Sequence, residues 1–208
     1  MESLLRAWVE RGAVGGLLVQ VDGHGYGFRR FQNPFLGVRK LMIPTPNFNT
    51  CDLCDAHKAD DDGRFRVLPP VFLDFGGVGQ FAGPVYTVKC FEDNTLVKEA
   101  LDTAGAGRVL VVDGAGSLRR ALVGGNLAKA AARNGWAGIV VDGCVRDVAE
   151  LRAEAVGIRA LAAMPLPTEK RQQGLQNDAV QIQGVWVRPG DWLYADADGI
   201  VVYDQPLV

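Results

Sequence analysis

Apolar residues along this chain come in short runs, closed off by glycine, proline and aspartate. Val85-Tyr86-Thr87-Val88-Lys89-Cys90-Phe91 is dense in β-branched and aromatic side chains, and it predicts a strand. Residues 95–104 read as a helix, and residues 108–112 as a buried strand that ends on Asp113-Gly114. The order then repeats, with a helix over 126–134, an all-apolar strand over 138–141, a helix over 145–155 and a strand over 158–163. Strands that alternate with helices predict an α/β core with some parallel pairing. The C-terminal part changes character. Residues 179–187, 192–195 and 199–203 read as three strands, broken by Arg188-Pro189-Gly190-Asp191 and Asp196-Ala197-Asp198-Gly199. Proline, glycine and aspartate supply turn geometry there. The expected product is a mixed sheet, partly antiparallel and flanked by helices. Ahead of it, Asn49-Thr50 with Asp52 and Asp55 suggests a short capped helix.

The first 45 residues do not share this regularity. They hold seven glycines, six of them between residues 12 and 27, and their apolar run is interrupted by Gly15-Gly16. Glu2 and Glu10 stand against a secretory signal, which opens with positive charge. Residues 1–45 are therefore expected to be an N-terminal extension without an assigned function, and residues 46–208 a single α/β domain. A start at Met42 is the other reading of this segment.

Composition narrows the class. With 48% hydrophobic and 22% charged residues in a chain of 208, there is enough apolar material for a sizeable core. A net charge of −2 argues against broad nucleic-acid binding, which usually needs a basic face. No apolar run reaches 18 residues, so no membrane span is expected, and a cytoplasmic location is. The four cysteines are too scattered for a disulfide framework. The pair Cys51 and Cys54 has redox or half-zinc spacing but no second pair, so buried structural thiols are expected.

The chemistry concentrates in residues 121–150, ALVGGNLAKAAARNGWAGIVVDGCVRDVAE. Two glycine-marked turns in this stretch each open a helix, where unpaired backbone N–H groups attract anions. The second turn carries Arg146 followed by Asp147. A guanidinium can grip a carboxylate or enolate in a bidentate fork, and a neighbouring carboxylate can hold a hard cation. An ordinary helix cap with a surface ion pair is the competing reading of the same residues. Other arrangements are harder to assemble. Only His24 and His57 occur, which leaves little for a Ser-His-Asp set or a two-histidine zinc helix. Residues 105–107 and 113–116 are glycine clusters without dinucleotide or P-loop spacing, and they read as turns. Arg119-Arg120 reads as a solvated helix start, Asp196 and Asp198 as turn residues, and Trp136, Trp186 and Trp192 as core or subunit contacts.

A family resemblance covers residues 50–207. Its carriers are Cys54-Asp55, Phe75-Gly76-Gly77, residues 87–94 (TVKCFEDN), residues 107–114 (GRVLVVDG), residues 121–124 (ALVG), Asn134-Gly135-Trp136, residues 143–147 (GCVRD) and residues 190–196 (GDWLYAD). The sequence resembles the family of regulator of ribonuclease E activity A and 4-hydroxy-4-methyl-2-oxoglutarate aldolase. The resemblance implies a compact α/β domain like the swivelling phosphohistidine domain, assembled as a homotrimer with sites near subunit contacts. It implies one of two activities. The first is a divalent-metal-dependent class II aldolase that cleaves 4-hydroxy-4-methyl-2-oxoglutarate to pyruvate, with oxaloacetate decarboxylation as a side activity. The second is a non-catalytic protein that binds and inhibits ribonuclease E.

The aldolase branch carries arginine-aspartate where this chain has Arg146-Asp147, with an acid three positions on, here Glu150; regulators can lack the aspartate and with it the metal. Under the aldolase reading Asp147 would hold Mg²⁺ or Mn²⁺, with Glu150 reaching the cation through a water. Arg146 would stabilise the enolate of a small 2-oxo acid, and the backbone N–H groups of Gly124, Gly125, Asn126 and Leu127 would receive its carboxylate. One departure stands out: many aldolase members have an aspartate, linked to proton transfer, where this chain has Gly125. A methyltransferase label carried by some relatives finds no glycine-rich adenosylmethionine loop here.

Overall fold

In the computed structural model, residues 47–208 are described, together with a short antiparallel pair of Val21–Asp22 and Gly25–Tyr26. The expectation of an extension over residues 1–45 lies otherwise outside the described residues. Helix α1, Thr50–His57, opens the domain, with the Asn49 side chain accepting from the N–H groups of Cys51 and Asp52 as its cap. Two short strands follow, β1 (Arg66–Val67) and β2 (Leu73–Asp74). Then come β3 (Phe81–Lys89), α2 (Thr95–Leu101), β4 (Val109–Val123), α3 (Gly125–Arg133), β5 (Gly138–Val145), α4 (Val148–Ala153) and β6 (Gly157–Ala163). The C-terminal part holds β7 (Leu175–Gln176), β8 (Val180–Ile182), β9 (Val185–Val187), β10 (Trp192–Ala195) and β11 (Ile200–Tyr203).

The result is the mixed α/β domain that the pattern predicts. One nine-stranded sheet runs in the order β1-β11-β10-β3-β4-β5-β6-β2, with β7 pairing the far end of β3. β3, β4, β5 and β6 are mutually parallel, and every other pairing between strands of this sheet is antiparallel. β3 changes partner in mid-course: residues 81–84 pair with β10, whereas residues 85–89 pair with β4.

Period-2 alternation divides the core between the sheet's two faces. Leu110, Val112, Ile139 and Val141 face one cluster, with Val97 and Leu101 of α2, Ala128 and Ala131 of α3, and Leu151 of α4. Val109, Val111 and Val140 face the other, with Val180, Ile182, Leu193 and Val202 from the C-terminal strands. Helices thus cover one face and antiparallel strands the other. Each fully buried Val or Leu in these layers contributes about 1.5–3 kcal/mol. The Phe81 ring lies across the first residues of two neighbouring strands, where a Cβ on Gly138 or on Gly157 would overlap it.

Several local expectations need correction. β4 does not stop at Asp113 but continues to Val123, with register shifts against β5 between Asp113 and Ser117 and again further on. Ala115 and Gly116 take φ of 54° and 65°, so the glycine cluster makes a bulge inside the strand instead of reversing the chain. Arg119 and Arg120 therefore lie on this strand and not at a helix start, with Arg119 Nε 2.6 Å from Glu92 Oε1. Residues 179–187 form a hairpin of two strands and not a single one, because Gln183 and Gly184 adopt φ of 47° and 82°. The helix expected from residue 145 starts at Val148, since Val145 still belongs to β5. Finally, all four cysteines are free, but only Cys90 and Cys144 are buried, and Cys51 is exposed. Burial pushes the Cys90 thiol up to about 12. Trp136 is in the core and Trp186 is exposed.

Candidate functional site

β4 and β5 are parallel neighbours whose last residues, Val123 and Val145, pair with each other. The two helix-opening turns that follow them are thereby brought side by side at the carboxyl ends of the strands, the usual location of ligand crevices in parallel sheets. The Arg146 N–H donates to the Val123 carbonyl at 2.9 Å, locking one turn against the other. Gly124 caps α3 in an extended conformation, and a Cβ there would meet Asp147 Oδ2 at 2.7 Å and Arg146 Nε at 3.2 Å. Glycine at 124 is what lets the second turn close in.

Asp147 sits at the N-cap of α4 with φ 59° and ψ 44°, a left-handed conformation that aspartate tolerates better than most residues. Its side chain makes no cap bond to its own helix. It leans instead toward the first turn, where Oδ2 accepts from the Gly125 N–H at 3.1 Å and lies 3.5 Å from Arg146 Nε. Its Oδ1 has no partner among the described residues, and the side chain is 39% exposed. Glu150 lies one turn into α4, and its carboxylate fills the space beside Gly125 where a side chain would otherwise start, since a Cβ at 125 would overlap Glu150 Oε2. An acid at that spot thus comes from the second turn.

The four backbone N–H groups of the first turn are not equivalent. That of Gly125 is taken by Asp147, and that of Leu127 closes onto the Gly124 carbonyl at 3.0 Å. Those of Gly124 and Asn126 have no protein partner among the described residues. A cleft of about 220 Å³ opens here, lined by Gly124, Asn126, Leu127, Arg146 and Asp147. Its lining also contains residues that sequence reasoning missed: Asn94, Lys98, Thr168 and Lys170. Asn94 had a signal in the TVKCFEDN stretch, and its side chain donates to the Leu122 carbonyl at 3.1 Å. The lysines had none, because nothing local distinguishes them from solvated surface charge. Asp196 and Asp198 lie by a separate, larger cavity and do not join this cleft.

The donors fit a hard divalent cation. Asp147 offers a free carboxylate oxygen, and Glu150 a second carboxylate nearby. Among the described residues no three His, Cys, Asp or Glu side chains cluster as a closed metal cage. One carboxylate with open positions suits Mg²⁺ or Mn²⁺, which keep water and substrate oxygens as ligands, and does not suit structural zinc.

Fold and cleft together define an α/β domain with a small polar site where its parallel strands end. The chain belongs to the RraA-like family (aldolase/RraA), whose family model matches residues 50–202. It is 70% identical over 172 residues to a protein of Albidiferax ferrireducens named as a candidate 4-hydroxy-4-methyl-2-oxoglutarate aldolase, covering 79% of this chain and 99% of that one. A Burkholderia mallei protein of the same name is 59% identical over 162 residues, covering 77% and 98%. Among solved structures, the RNA-processing inhibitor RraA from Thermus thermophilis superposes with a TM-score of 0.73 at 46% identity, covering 78% of this chain and 96% of that one. A Geobacillus kaustophilus protein named as an S-adenosylmethionine:2-dimethylmenaquinone methyltransferase superposes equally well, at 42% identity over 77% and 97%.

Proposed function

We propose that this protein is a divalent-cation-dependent aldolase. Its substrate is 4-hydroxy-4-methyl-2-oxoglutarate or a related 4-hydroxy-2-oxo acid, and oxaloacetate decarboxylation is a side activity. The observation that carries this reading is the open oxygen of Asp147, held beside Arg146 at the mouth of the cleft. A bound Mg²⁺ or Mn²⁺ would supply Lewis-acid polarisation of the substrate's keto oxygen.

The chain's own residues account for the rest. The free N–H groups of Gly124 and Asn126 receive the C1 carboxylate at the start of α3. Glu150 takes the proton of the C4 hydroxyl, the C3–C4 bond breaks, and its electron pair passes to the pyruvate enolate. Arg146 stabilises that enolate charge through its guanidinium. Protonation at C3 then gives pyruvate, and the C4 fragment leaves as a second pyruvate. With oxaloacetate the same bond breaks, the leaving fragment is carbon dioxide, and no hydroxyl proton has to be removed. Glu150 stands in space where the resemblance expects an acid on residue 125, so Gly125 is compatible with proton transfer.

The proposal includes a homotrimer that buries Phe91, Leu118 and Leu166, which are exposed in the single chain. The other reading, a non-catalytic inhibitor of ribonuclease E, is favoured by the name of the Thermus thermophilis neighbour. It assigns no role to the free Asp147 oxygen. The test is pyruvate release from 4-hydroxy-4-methyl-2-oxoglutarate with Mg²⁺ or Mn²⁺, with and without a chelator, for wild type and Asp147→Ala. Cation-dependent turnover lost in the variant supports the aldolase. A folded, cation-supplied wild type inactive on this substrate and on oxaloacetate would overturn it in favour of the inhibitor.

A further inference from the structure

Two lysines line the cleft together with Arg146 and Asp147. Lys98 comes from α2 and Lys170 from the segment between β6 and β7. One buried residue joins these two supports. Asp93 is fully buried; its Oδ1 accepts from the Thr95 N–H at 2.8 Å and the Thr95 hydroxyl at 2.7 Å, fastening the start of α2. Its Oδ2 accepts from the N–H groups of Arg171 at 2.7 Å and Gln173 at 3.2 Å, fastening the segment beside Lys170. The segment is further tied to β4, where the Ala121 N–H donates to the Leu166 carbonyl at 2.8 Å. Both lysines therefore stand on one braced frame.

Their charges are available to a ligand. Glu169 is shared between Arg120 at 3.5 Å and Arg171 at 3.7 Å, so Lys170 is left without an acidic partner among the described residues. Lys98 is paired with Asp102 across one exposed helical turn, a weak surface contact readily exchanged for a better acceptor. Two lysines and an anion-binding turn that line the same cleft of about 220 Å³ match a molecule with a carboxylate at each end.

We infer that Lys98 and Lys170 form a second carboxylate subsite, which selects 2-oxo dicarboxylates over 2-oxo monocarboxylates. The inference rests on the aldolase reading for the placement of the 2-oxo acid end at Gly124 and Asn126. A non-cleavable pair tests it without turnover: 2-oxoglutarate, and 2-oxopentanoate, which has the same chain length without the distal carboxylate. Calorimetric titration in Mg²⁺ buffer compares wild type with the Lys98→Met/Lys170→Met double variant, whose exposed positions leave the fold intact.

Wild type is expected to bind 2-oxoglutarate at least about tenfold tighter than 2-oxopentanoate, the size of a hydrogen bond to a charged group. The double variant should bring that ratio close to one while leaving 2-oxopentanoate affinity unchanged. A ratio near one in wild type, a ratio retained in the variant, or no binding of either ligand would overturn the subsite. Discrimination by wild type and its loss in the variant, in a protein that releases no pyruvate, would keep the subsite and remove the aldolase reading.

Discussion

Two aspartates at turns, Asp147 and Asp196, show how one residue type serves opposite ends. Asp196 is 9% exposed, and the chain answers both of its oxygens. Oδ1 accepts from the Thr50 hydroxyl at 2.6 Å, the Asp198 N–H at 3.0 Å and the Gly199 N–H at 3.3 Å, while Oδ2 accepts from the Thr50 N–H at 2.7 Å. Burial works against its charge, but these donors more than offset that and hold the carboxyl below its ordinary range. Asp147 is exposed, takes a single backbone N–H, and keeps one oxygen open beside a guanidinium. A carboxylate saturated by its own chain fastens the fold, tying α1 to the β10–β11 turn. One left partly unsatisfied is available for chemistry.

The contrast can be broken by exchanging the readouts. Asp147→Ala should lower kcat for pyruvate release by about 10²–10³-fold, the scale of losing a principal electrostatic contact, with only a modest fall in Tm from placing alanine in the left-handed backbone at 147. A large Tm loss in that variant would erase the distinction. Gly125→Ala should displace the Glu150 carboxylate and slow turnover by about 10²-fold, as should Glu150→Gln, the scale of a lost acid–base group. If Glu150 is the group through which Gly125 acts, the double variant will be no slower than either single one, which steady-state kinetics would read. Asp196→Ala should do the reverse of Asp147→Ala. It should cost about 2–4 kcal/mol by leaving the Thr50 N–H and hydroxyl unpaired, seen in urea unfolding, while turnover per folded molecule persists.

Acid sharpens the same comparison. The folded-state value of Asp196 is depressed, so its contribution is complete above the unfolded carboxylate range and is lost as pH falls through the folded value. Asp93 behaves alike, with burial opposing its charge and the Thr95, Gln173 and Arg171 donors prevailing. The smallest effect belongs to Asp142. Burial first, and then the nearby Asp113, raises its carboxyl, even though Gln183 donates to it at 2.7 Å. Its native state prefers the proton, so stability declines as pH rises from the unfolded value through the folded one. Asp142→Asn should leave Tm at neutral pH equal or slightly higher, and flatten that part of the pH profile.

Much of this was legible in the sequence. The alternation of strands and helices, the two helix-opening turns and the Arg146-Asp147 pair follow from local pattern, because period, glycine and capping residues act over a few positions. What escaped depends on distant partners. β4 runs through Ala115 and Gly116 because β5 continues beside it, and a glycine cluster read alone looks like a turn. The meeting of Glu150 with Gly125 could not be read, because the signal at 125 is a missing side chain whose space another element fills. Lys98 and Lys170 line one cleft through tertiary bonds far apart in the chain, those of buried Asp93 among them.

The packing of Phe81 constrains how this sequence can drift. Its ring occupies the space that a side chain at 138 or at 157 would need. Enlarging either glycine first produces an overlap that the close-packed sheet cannot relieve, whereas shrinking residue 81 first makes both enlargements tolerable at the cost of a void. The order of changes therefore decides which descendants can fold: a lineage reaches alanine at 138 or 157 by passing through a smaller residue at 81, and the reverse route is closed.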